Sequence, residues 1–388
     1  GPSREELNEA RARAKDFRDR YMNERKLRRK LTDELAELKG NIRVVARCRP
    51  PNDDGNSVVE FPSGAEGALE VVNDHGLTQR FEFDRVFRPG SSQSDIFDHV
   101  APVIQGCFDG IHACIFAYGQ TGSGKTHTME GPPSDRGVYF RALSELFHGK
   151  PADTELCVKL SMLEIYNETL IDLLTDKRCK LEVKRCGDGT HEVQGLHRVS
   201  VASLEEVQRH VESGSKRRQT GAHDLNDRSS RSHLILSLDV ECKRKDEVLT
   251  SRLNLVDLAG SERLSRTGAT GDRLKEAQSI NKSLSSLGDV VNALAKKTQC
   301  HVPYRNSKLT YLLQDSLSRA ARVLMVVNIS PLEADASETI CSLAFAARCR
   351  DVELGAALAR PEAAELMRAK QEIRALRARL DRLALAAK

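Results

Sequence analysis

Residues 119–126 read Gly119-Gln120-Thr121-Gly122-Ser123-Gly124-Lys125-Thr126. An apolar run from Cys114 to Tyr118 precedes this stretch, and a helical pattern follows it. Glycines let backbone N–H groups approach phosphate oxygens, the lysine reaches the outer phosphates, and the threonine hydroxyl can bind Mg²⁺. In this strand–loop–helix context, the stretch predicts a P-loop that binds a nucleoside triphosphate.

Short β-rich runs alternate with longer helical stretches on both sides of the loop. The β-rich runs are Ile42 to Arg47, Cys114 to Tyr118, Cys157 to Ile165, His233 to Cys242, Leu253 to Asp257 and Val323 to Ile329. The alternation predicts an α/β fold of the P-loop NTPase type, with a central mixed sheet flanked by helices on both faces. With 388 residues, the chain is long enough for one large domain of this kind with extensions.

Two further segments have the chemistry to sense a terminal phosphate. The first is a polar loop rich in hydroxyl groups, Asn226-Asp227-Arg228-Ser229-Ser230-Arg231-Ser232-His233. The second is Asp257-Leu258-Ala259-Gly260-Ser261-Glu262, in which an acid at a strand end precedes a glycine whose N–H could meet the γ-phosphate. Each segment alone could be an ordinary turn, but together with the P-loop they predict a nucleotide hydrolase that responds to phosphate loss.

These motifs resemble the kinesin motor domain. The residues that carry the resemblance are Phe116 to Gly131 around the P-loop, the Ser-Ser-Arg-Ser-His and Leu-Ala-Gly-Ser-Glu segments, Arg47-Cys48-Arg49-Pro50, and Tyr304-Arg305-Asn306-Ser307-Lys308-Leu309-Thr310. The resemblance covers about residues 41 to 355, and we assign residues 40–355 to the motor domain.

The resemblance implies a role for each matching residue. Arg47, Arg49, Pro50 and His127 would frame the adenine, and Gly119 to Thr126 would hold the phosphates. Thr126 and Ser230 would bind Mg²⁺, with Asp257 acting on the ion through water, and Asn226 and Ser229 would lie near the attacking water. Arg231 and Glu262 would form an ion pair that closes the two loops around the nucleotide.

That ion pair also has a physical rationale, because bidentate Arg–carboxylate geometry can couple two loops. The alternative is an ordinary surface ion pair that contributes roughly 0 to 1 kcal/mol. Asn281-Lys282-Ser283-Leu284 lacks the Asp that would complete a guanine-reading motif, so we expect ATP and ADP with Mg²⁺ as ligands.

Cations cluster beside the second segment and predict a surface for an acidic partner. They are Arg263, Arg266, Arg273, Lys275, Lys296, Lys297, Arg305 and Lys308, and a helical pattern from Ile280 to Ala295 lies among them. Kinesins that resemble this chain use the corresponding segments to bind tubulin, and microtubule surfaces are acidic. The alternative for any one of these cations is a solvated helix face.

Composition limits the other partners. The formal net charge of +4 and the 4% aromatic content, without Trp, supply no stacking platform for nucleic acid. The apolar runs are far shorter than the ~20 residues of a membrane span. The ten cysteines include no C-x-x-C pair, which favours thiols in a reducing compartment over disulfides or zinc. We expect localisation in the cytoplasm, on the cytoskeleton.

The two ends of the chain differ from its centre. Residues 1–3 read as an expression scar. Residues 4–39 predict a neck helix with a partial coiled-coil seam, and residues 356–388 predict a C-terminal helix. The neck would support a homodimer or a heterodimer in the full-length protein. The junction Leu35 to Val44 resembles that of minus-end-directed kinesins whose motor lies at the C-terminal end.

The resemblance therefore implies a microtubule-stimulated ATPase whose neck helix swings toward the minus end. Two other classes of protein are alternatives. A non-motile ATP-regulated microtubule crosslinker would be expected to have lost some of Lys125, Thr126 and Asp257, which are all present. A P-loop enzyme such as a small-molecule kinase would need an acceptor-binding signature, and we find none in the sequence.

Overall fold

The computed structural model describes residues 42–51, 57–73, 75–151, 154–177, 179–187, 190–220, 228–244, 247–263, 272–296, 301–318 and 321–354. The scar, the neck helix and the C-terminal helix assigned from sequence lie outside these residues. Everything below concerns the described part of the chain.

Fourteen strands are present in this part of the chain. They are β1 (Arg43–Cys48), β2 (Val59–Glu60), β3 (Ala68–Val72), β4 (Thr78–Glu82), β5 (Arg85–Phe87), β6 (His112–Tyr118), β7 (Glu155–Tyr166), β8 (Thr169–Asp172), β9 (Glu182–Arg185), β10 (His191–Gln194), β11 (Val199–Val201), β12 (His233–Arg244), β13 (Glu247–Asp257) and β14 (Ala321–Ile329).

Seven α-helices are described. They are α1 (Gln93–Gln105), α2 (Lys125–Met129), α3 (Val138–His148), α4 (Leu204–Thr220), α5 (Asp272–Ala295), α6 (Lys308–Leu312) and α7 (Ala336–Arg350). Short 3₁₀ helices span Arg228–Arg231 and Tyr304–Asn306. Helix α1 begins with a capping box, in which the Ser92 hydroxyl and the Asp95 carboxylate satisfy each other's backbone N–H groups.

The main sheet has nine strands in the order β11-β7-β12-β13-β6-β14-β1-β5, and β8 pairs with β7. Strands β13, β6, β14, β1 and β5 run parallel, whereas β7, β12 and β13 pair antiparallel. The parallel strands β13 and β6 are neighbours, so the loops that follow them lie side by side at one edge of the sheet. This edge holds the P-loop.

Side chains alternate between the two faces of the sheet, as period-2 geometry requires. On β6, Cys114 and Phe116 face the layer formed by α5, α6 and α7, whereas Ala113 and Ile115 face the layer of α1, α3 and α4. The core therefore has two apolar layers, one on each side of a fully covered sheet.

The predicted fold class is confirmed. Each of the six β-rich runs overlaps a strand of the main sheet, and the helical pattern through residue 295 is α5. Two small sheets, β2-β3-β4 and β9-β10, were not predicted. None of the helices described here has both the length and the apolarity that crossing a bilayer requires.

Candidate nucleotide-binding site

The loop between β6 and α2 has the backbone conformation of a phosphate cradle. Gly119, Gly122 and Gly124 have φ values of 148°, 79° and 97°, in the region that favours glycine. A Cβ at Gly119 would collide with the carbonyl oxygen of Asn328, at the end of the neighbouring β14. Glycine is therefore required at residue 119 both for the backbone angle and for close packing against β14.

Lys125 lies at the first turn of α2, and only 7% of its side chain is exposed. Its Nζ donates to the carbonyl oxygens of Gly119 and Gln120, at 2.8 and 2.9 Å. Burial lowers the pKa of Lys125, and the nearby Asp257 and Glu262 carboxylates partly oppose that shift. The Lys125 side chain therefore folds back onto the P-loop, the same loop that would bind a phosphate.

Thr126, in the first turn of α2, and Asp257, at the end of β13, are in contact. The Thr126 hydroxyl donates to Asp257 Oδ2 at 2.8 Å, and Asp257 Oδ1 has no hydrogen-bond partner among the described residues. Burial raises the pKa of Asp257, while Arg218, Lys125 and the Thr126 hydrogen bond act in the opposite direction. A buried carboxylate oxygen without a partner beside a threonine hydroxyl suits a hydrated divalent cation.

Residues assigned to the adenine side come from β1 and α2. Arg47 is buried, and its Nη1 donates to Gln93 Oε1 and to Thr128 Oγ1, both at 2.9 Å. Burial lowers its pKa to about 10, so the guanidinium stays charged at neutral pH. The carbonyl of His127 accepts from Gln93 Nε2 at 2.6 Å, which connects α2 to α1.

Arg49 and Pro50 continue from the end of β1. Arg49 donates from Nη1 to the Pro50 carbonyl and from Nη2 to Ser330 Oγ, both at 3.0 Å. Pro50 is exposed, whereas Arg47 is buried. Arg47 is therefore buried between α1 and α2, whereas Arg49 is half-buried and Pro50 is exposed.

The segment after β13 lies directly against the P-loop. Ser261 N donates to Gly119 O at 3.1 Å, and Gly260 N donates to Ser230 O at 2.9 Å. Glu262 accepts from the backbone N–H and the hydroxyl of Thr121, at 2.9 and 2.6 Å. The P-loop, the segment before β12 and the segment after β13 are therefore joined by direct hydrogen bonds.

The predicted Arg231–Glu262 ion pair is not formed in this structure. Arg231 Nη1 instead lies 2.8 Å from Glu276 Oε2 on α5. The Glu262 carboxylate is already satisfied by the two donors of Thr121, and the guanidinium takes the acid that α5 brings within reach. Sequence spacing could not reveal Glu276, because it lies 45 residues from Arg231.

Not every predicted site residue can be placed. Asn226 lies outside the described residues, and Ser229 belongs to a 3₁₀ helix whose course is described without its side chain. Ser230 is placed, with its carbonyl on Gly260 N. The roles of Asn226 and Ser229 therefore stay predictions.

The predicted cationic surface is placed in part. Lys296 and Arg305 are exposed, and Lys308 is half-buried. Lys296 directly follows the end of α5, Arg305 lies in the 3₁₀ helix before α6, and Lys308 begins α6; these three elements pack against one another. Arg263 is exposed, with Nη2 2.7 Å from Cys341 Sγ on α7. Arg266 and Lys297 lie outside the described residues, and only the backbone of Arg273 and Lys275 is described.

Several residues of the site were not predicted from sequence. Gln93 and Thr128 bind Arg47, and Asn328 Nδ2 donates to Thr128 Oγ1 at 2.7 Å. Arg218 is buried 3.5 Å from Glu164 and donates to the carbonyl of Ser232. Thr128 lies in the stretch around the P-loop, but its role was not predicted because its partners Arg47 and Asn328 are distant in the sequence. Gln93, Asn328 and Arg218 lie outside the motifs named from the sequence, and their partners are equally distant.

Comparison with known proteins gives concordant matches. Residues 47–352 match the kinesin motor domain family. The "Kinesin-like protein KIN-14R" of Arabidopsis thaliana is 46% identical over 367 residues, which cover 92% of this chain and 34% of that protein. The chain thus spans about a third of the length of this relative.

Two solved structures are similar in sequence and in fold. One, described as a fast kinesin with implications for ATPase mechanism and interactions with microtubules, has a TM-score of 0.77 at 37% identity, covering 83% of this chain and 95% of that chain. The other contains the C-terminal motor and motor homology domain of Kar3Vik1 fused to a synthetic heterodimeric coiled coil. Its TM-score is 0.73 at 36% identity, covering 89% of this chain and 94% of that chain.

Proposed function

Because this chain belongs to the kinesin motor family, we propose that it is an ATP-hydrolysing motor whose grip on microtubules depends on the bound nucleotide. One observation carries the proposal. Ser261, the residue after Gly260, donates to the P-loop carbonyl of Gly119. The segment before β12 contacts both Gly260 and α5. A change at the terminal phosphate thus has a short path of contacts to the helix beside the cationic surface.

The residues present fit a triphosphate with its metal. Gly122 and Gly124 leave open space beside the backbone for phosphate oxygens, and Lys125 can exchange its two carbonyl partners for phosphate oxygens. Thr126, Ser230 and the free Oδ1 of Asp257, the last through water, would hold Mg²⁺. The ion would neutralise phosphate charge.

Hydrolysis would rest on positioning and charge rather than on a covalent intermediate. Asn226 and Ser229 would orient the attacking water, and the N–H of Gly260 would meet the γ-phosphate. That N–H now donates to Ser230 O, so binding a phosphate oxygen requires the Gly260 segment to shift. Phosphate release would return the N–H to Ser230.

The position of Arg231 supports a mechanism for coupling. Its partner is Glu276 on α5, whereas the resemblance implies Glu262 as its partner when the loops close. We propose that ATP binding transfers Arg231 from Glu276 to Glu262. The exchange would release α5 from the 228–231 segment, because the half-buried Glu276 would lose its cation.

The filament surface would be built from the predicted cations. Lys296, Arg305 and Lys308 are carried by packed elements next to α5, so movement of that helix would change their arrangement. Acidic tubulin is the partner whose charge complements them. Similarity to a fast kinesin whose structure is described as having implications for interactions with microtubules supports this choice.

Direction and assembly rest on relatives. Similarity to KIN-14 proteins and to the Kar3Vik1 motor supports movement toward minus ends with a neck swing. A coiled-coil partner for residues 4–39, either the same chain or another, is proposed on the same basis. The protein would then act on the microtubule cytoskeleton.

The test is microtubule co-sedimentation and ATP turnover by the same protein. We expect tight binding with a non-hydrolysable ATP analogue, weaker binding with ADP, and turnover that rises strongly with added microtubules at low salt. Equal affinity with analogue, ADP and empty site would overturn the coupling. Gliding of polarity-marked microtubules, with and without residues 361–388, then tests the direction.

A further inference from the structure

His233 is the first residue of β12, and only 3% of its side chain is exposed. Both ring nitrogens have partners on other elements. The Ala259 N–H, one residue before Gly260, donates to His233 Nδ1 at 3.0 Å. His233 Nε2 lies 2.7 Å from the hydroxyl oxygen of Ser283 on α5.

The proton positions along this chain of hydrogen bonds follow from the partners. Because Nδ1 accepts from a backbone amide, Nδ1 is unprotonated and Nε2 carries the hydrogen. The Ser283 hydroxyl donates to the Ile280 carbonyl at 2.7 Å, so its oxygen is free to accept from Nε2. The hydrogen bonds therefore run in one direction, from Ala259 through the imidazole to Ser283 and Ile280.

The ring is held in its neutral form by its surroundings. Burial, together with the cations of Arg218 and Lys125, lowers the pKa of His233 to about 3. A neutral ring can be donor and acceptor at once, whereas a protonated ring would have no lone pair for Ala259 N. The connection therefore stays intact throughout the physiological pH range.

We propose that His233 is a positioning residue that couples movement of the Ala259–Gly260 backbone to movement of helix α5. The imidazole is rigid, so the distance between its two partners is set by one ring. If α5 moves relative to the segment after β13, the ring must move with it, or one of two buried hydrogen bonds must break. A buried polar bond is costly to break and is not screened by solvent.

This connection differs from the Arg231–Glu276 ion pair, which also joins the segment before β12 to α5. The Arg231 side chain is 32% exposed and would change partners during the cycle. In this proposal His233 keeps the same two partners throughout the cycle, and it contacts Ala259 directly. The ion pair would act as the latch, and the imidazole as the permanent link.

The inference rests on the proposed function, because its readout is the stimulation of ATP turnover by microtubules. Three substitutions test it. H233N keeps an acceptor near the position of Nδ1 and removes the reach to Ser283. H233Q keeps a donor near the position of Nε2 and removes the acceptor for Ala259 N. S283A keeps the ring and removes the hydroxyl on α5.

S286A is the matched control. Ser286 is buried on the same helix, and its hydroxyl donates to the Lys282 carbonyl within α5 rather than to another element. It loses the same atom from the same helix without touching the link to β12. Binding of a fluorescent ADP to each variant reports whether the nucleotide site has folded.

Each of H233N, H233Q and S283A should reduce the maximal stimulation factor by about tenfold, the effect of losing one buried hydrogen bond. The KM for ATP should change much less. The H233N/S283A double variant should be no worse than H233N alone, because both substitutions break one connection. S286A should retain the unsubstituted stimulation factor.

Two results would overturn the inference alone. One is full stimulation of S283A and H233N. The other is equal loss in S283A and S286A, which would indicate a general effect of helix packing. If the unsubstituted chain itself shows no stimulation, the proposed function fails, and the inference fails with it.

Discussion

The protonation state of a single residue in this site depends on the groups around it, as His233 shows. The sequence places His233 where a polar Ser-Arg-Ser stretch meets a β-rich run, and it does not indicate which groups the ring contacts. The structure places it between two elements, where its pKa falls to about 3 because of burial and two neighbouring cations. Its ordinary pKa is 6.5.

This shift predicts a pH dependence of stability. Below pH 6.5 the unfolded chain binds a proton at His233, whereas the folded chain does not until the pH approaches 3. The contribution of His233 is therefore fully present above pH 6.5 and is lost as the pH falls through that window. Between pH of about 7.5 and about 5.5, the loss attributable to His233 is about 1.4 kcal/mol in the free energy of unfolding.

Urea unfolding of H233N at the two pH values checks this prediction. The asparagine variant should be less stable overall but should lose about 1.4 kcal/mol less on acidification than the unsubstituted chain. H75N, at an exposed histidine in the turn before β4, is the control and should parallel the unsubstituted chain. An H233N curve with an unchanged pH dependence would contradict a buried, neutral His233.

At the scale of elements, pattern-based prediction succeeded where apolar residues dominate a segment. Each predicted run overlaps a strand of the main sheet, because the sheet is packed between two apolar layers and its strands carry many apolar residues, even where polar ones alternate with them. Strand β4 was missed, since four of its five residues are exposed and it carries no apolar run. The two small sheets depend on pairing between short strands, which the local sequence does not indicate.

Contacts between elements were harder to predict, and the Arg231–Glu276 pair is the clearest case. We expect E276Q to weaken the hold of α5 on Arg231 and thus to favour the Glu262-paired arrangement. Because a partly exposed ion pair contributes about 1 kcal/mol or less, ATP turnover without microtubules should rise about twofold to fivefold. Steady-state turnover measures this directly.

D289N is the control for the charge change. Asp289 is an exposed acid on the same helix, so its substitution removes the same charge from α5 without removing the partner of Arg231. A turnover that is unchanged or lower in E276Q, or equally raised in D289N, would show that Glu276 does not restrain Arg231.

At the scale of the whole molecule, the sheet separates two helical layers, and three described cations of the predicted filament surface lie on the same side of it. Lys296, Arg305 and Lys308 belong to the layer of α5, α6 and α7. Lys150, Arg209 and Lys216 are exposed cations at the end of α3 and on α4, in the opposite layer. The two sets have the same residue composition, so the net charge changes equally when either set is replaced.

This arrangement predicts unequal effects of the two triple substitutions. K296A/R305A/K308A should lower microtubule affinity about tenfold at low salt, at roughly 0.5 kcal/mol for each of the three cations, and should weaken its salt dependence. K150A/R209A/K216A should leave both nearly unchanged. Co-sedimentation over a range of salt concentrations distinguishes them, and equal losses would place the tubulin contact elsewhere.

The sequence by itself determined the class of fold, and it predicted the P-loop and the two segments with the chemistry to sense a phosphate. These depend on residues that are adjacent in the chain, and their chemistry can be read from local spacing: Gly119 to Thr126 and Asp257 to Glu262 needed no partner to be recognised. Their neighbours along the chain also set the strand and helix patterns.

Only the tertiary structure decided how these segments are joined. In the folded chain Arg231 pairs with Glu276, Glu262 accepts from Thr121, and His233 lies between Ala259 and Ser283. Such pairings unite residues tens of positions apart, and several acceptors of similar chemistry compete for each donor. The packing of α5 against the sheet decides which acceptor each donor binds. This packing is a property of the folded chain, and no local sequence pattern contains it.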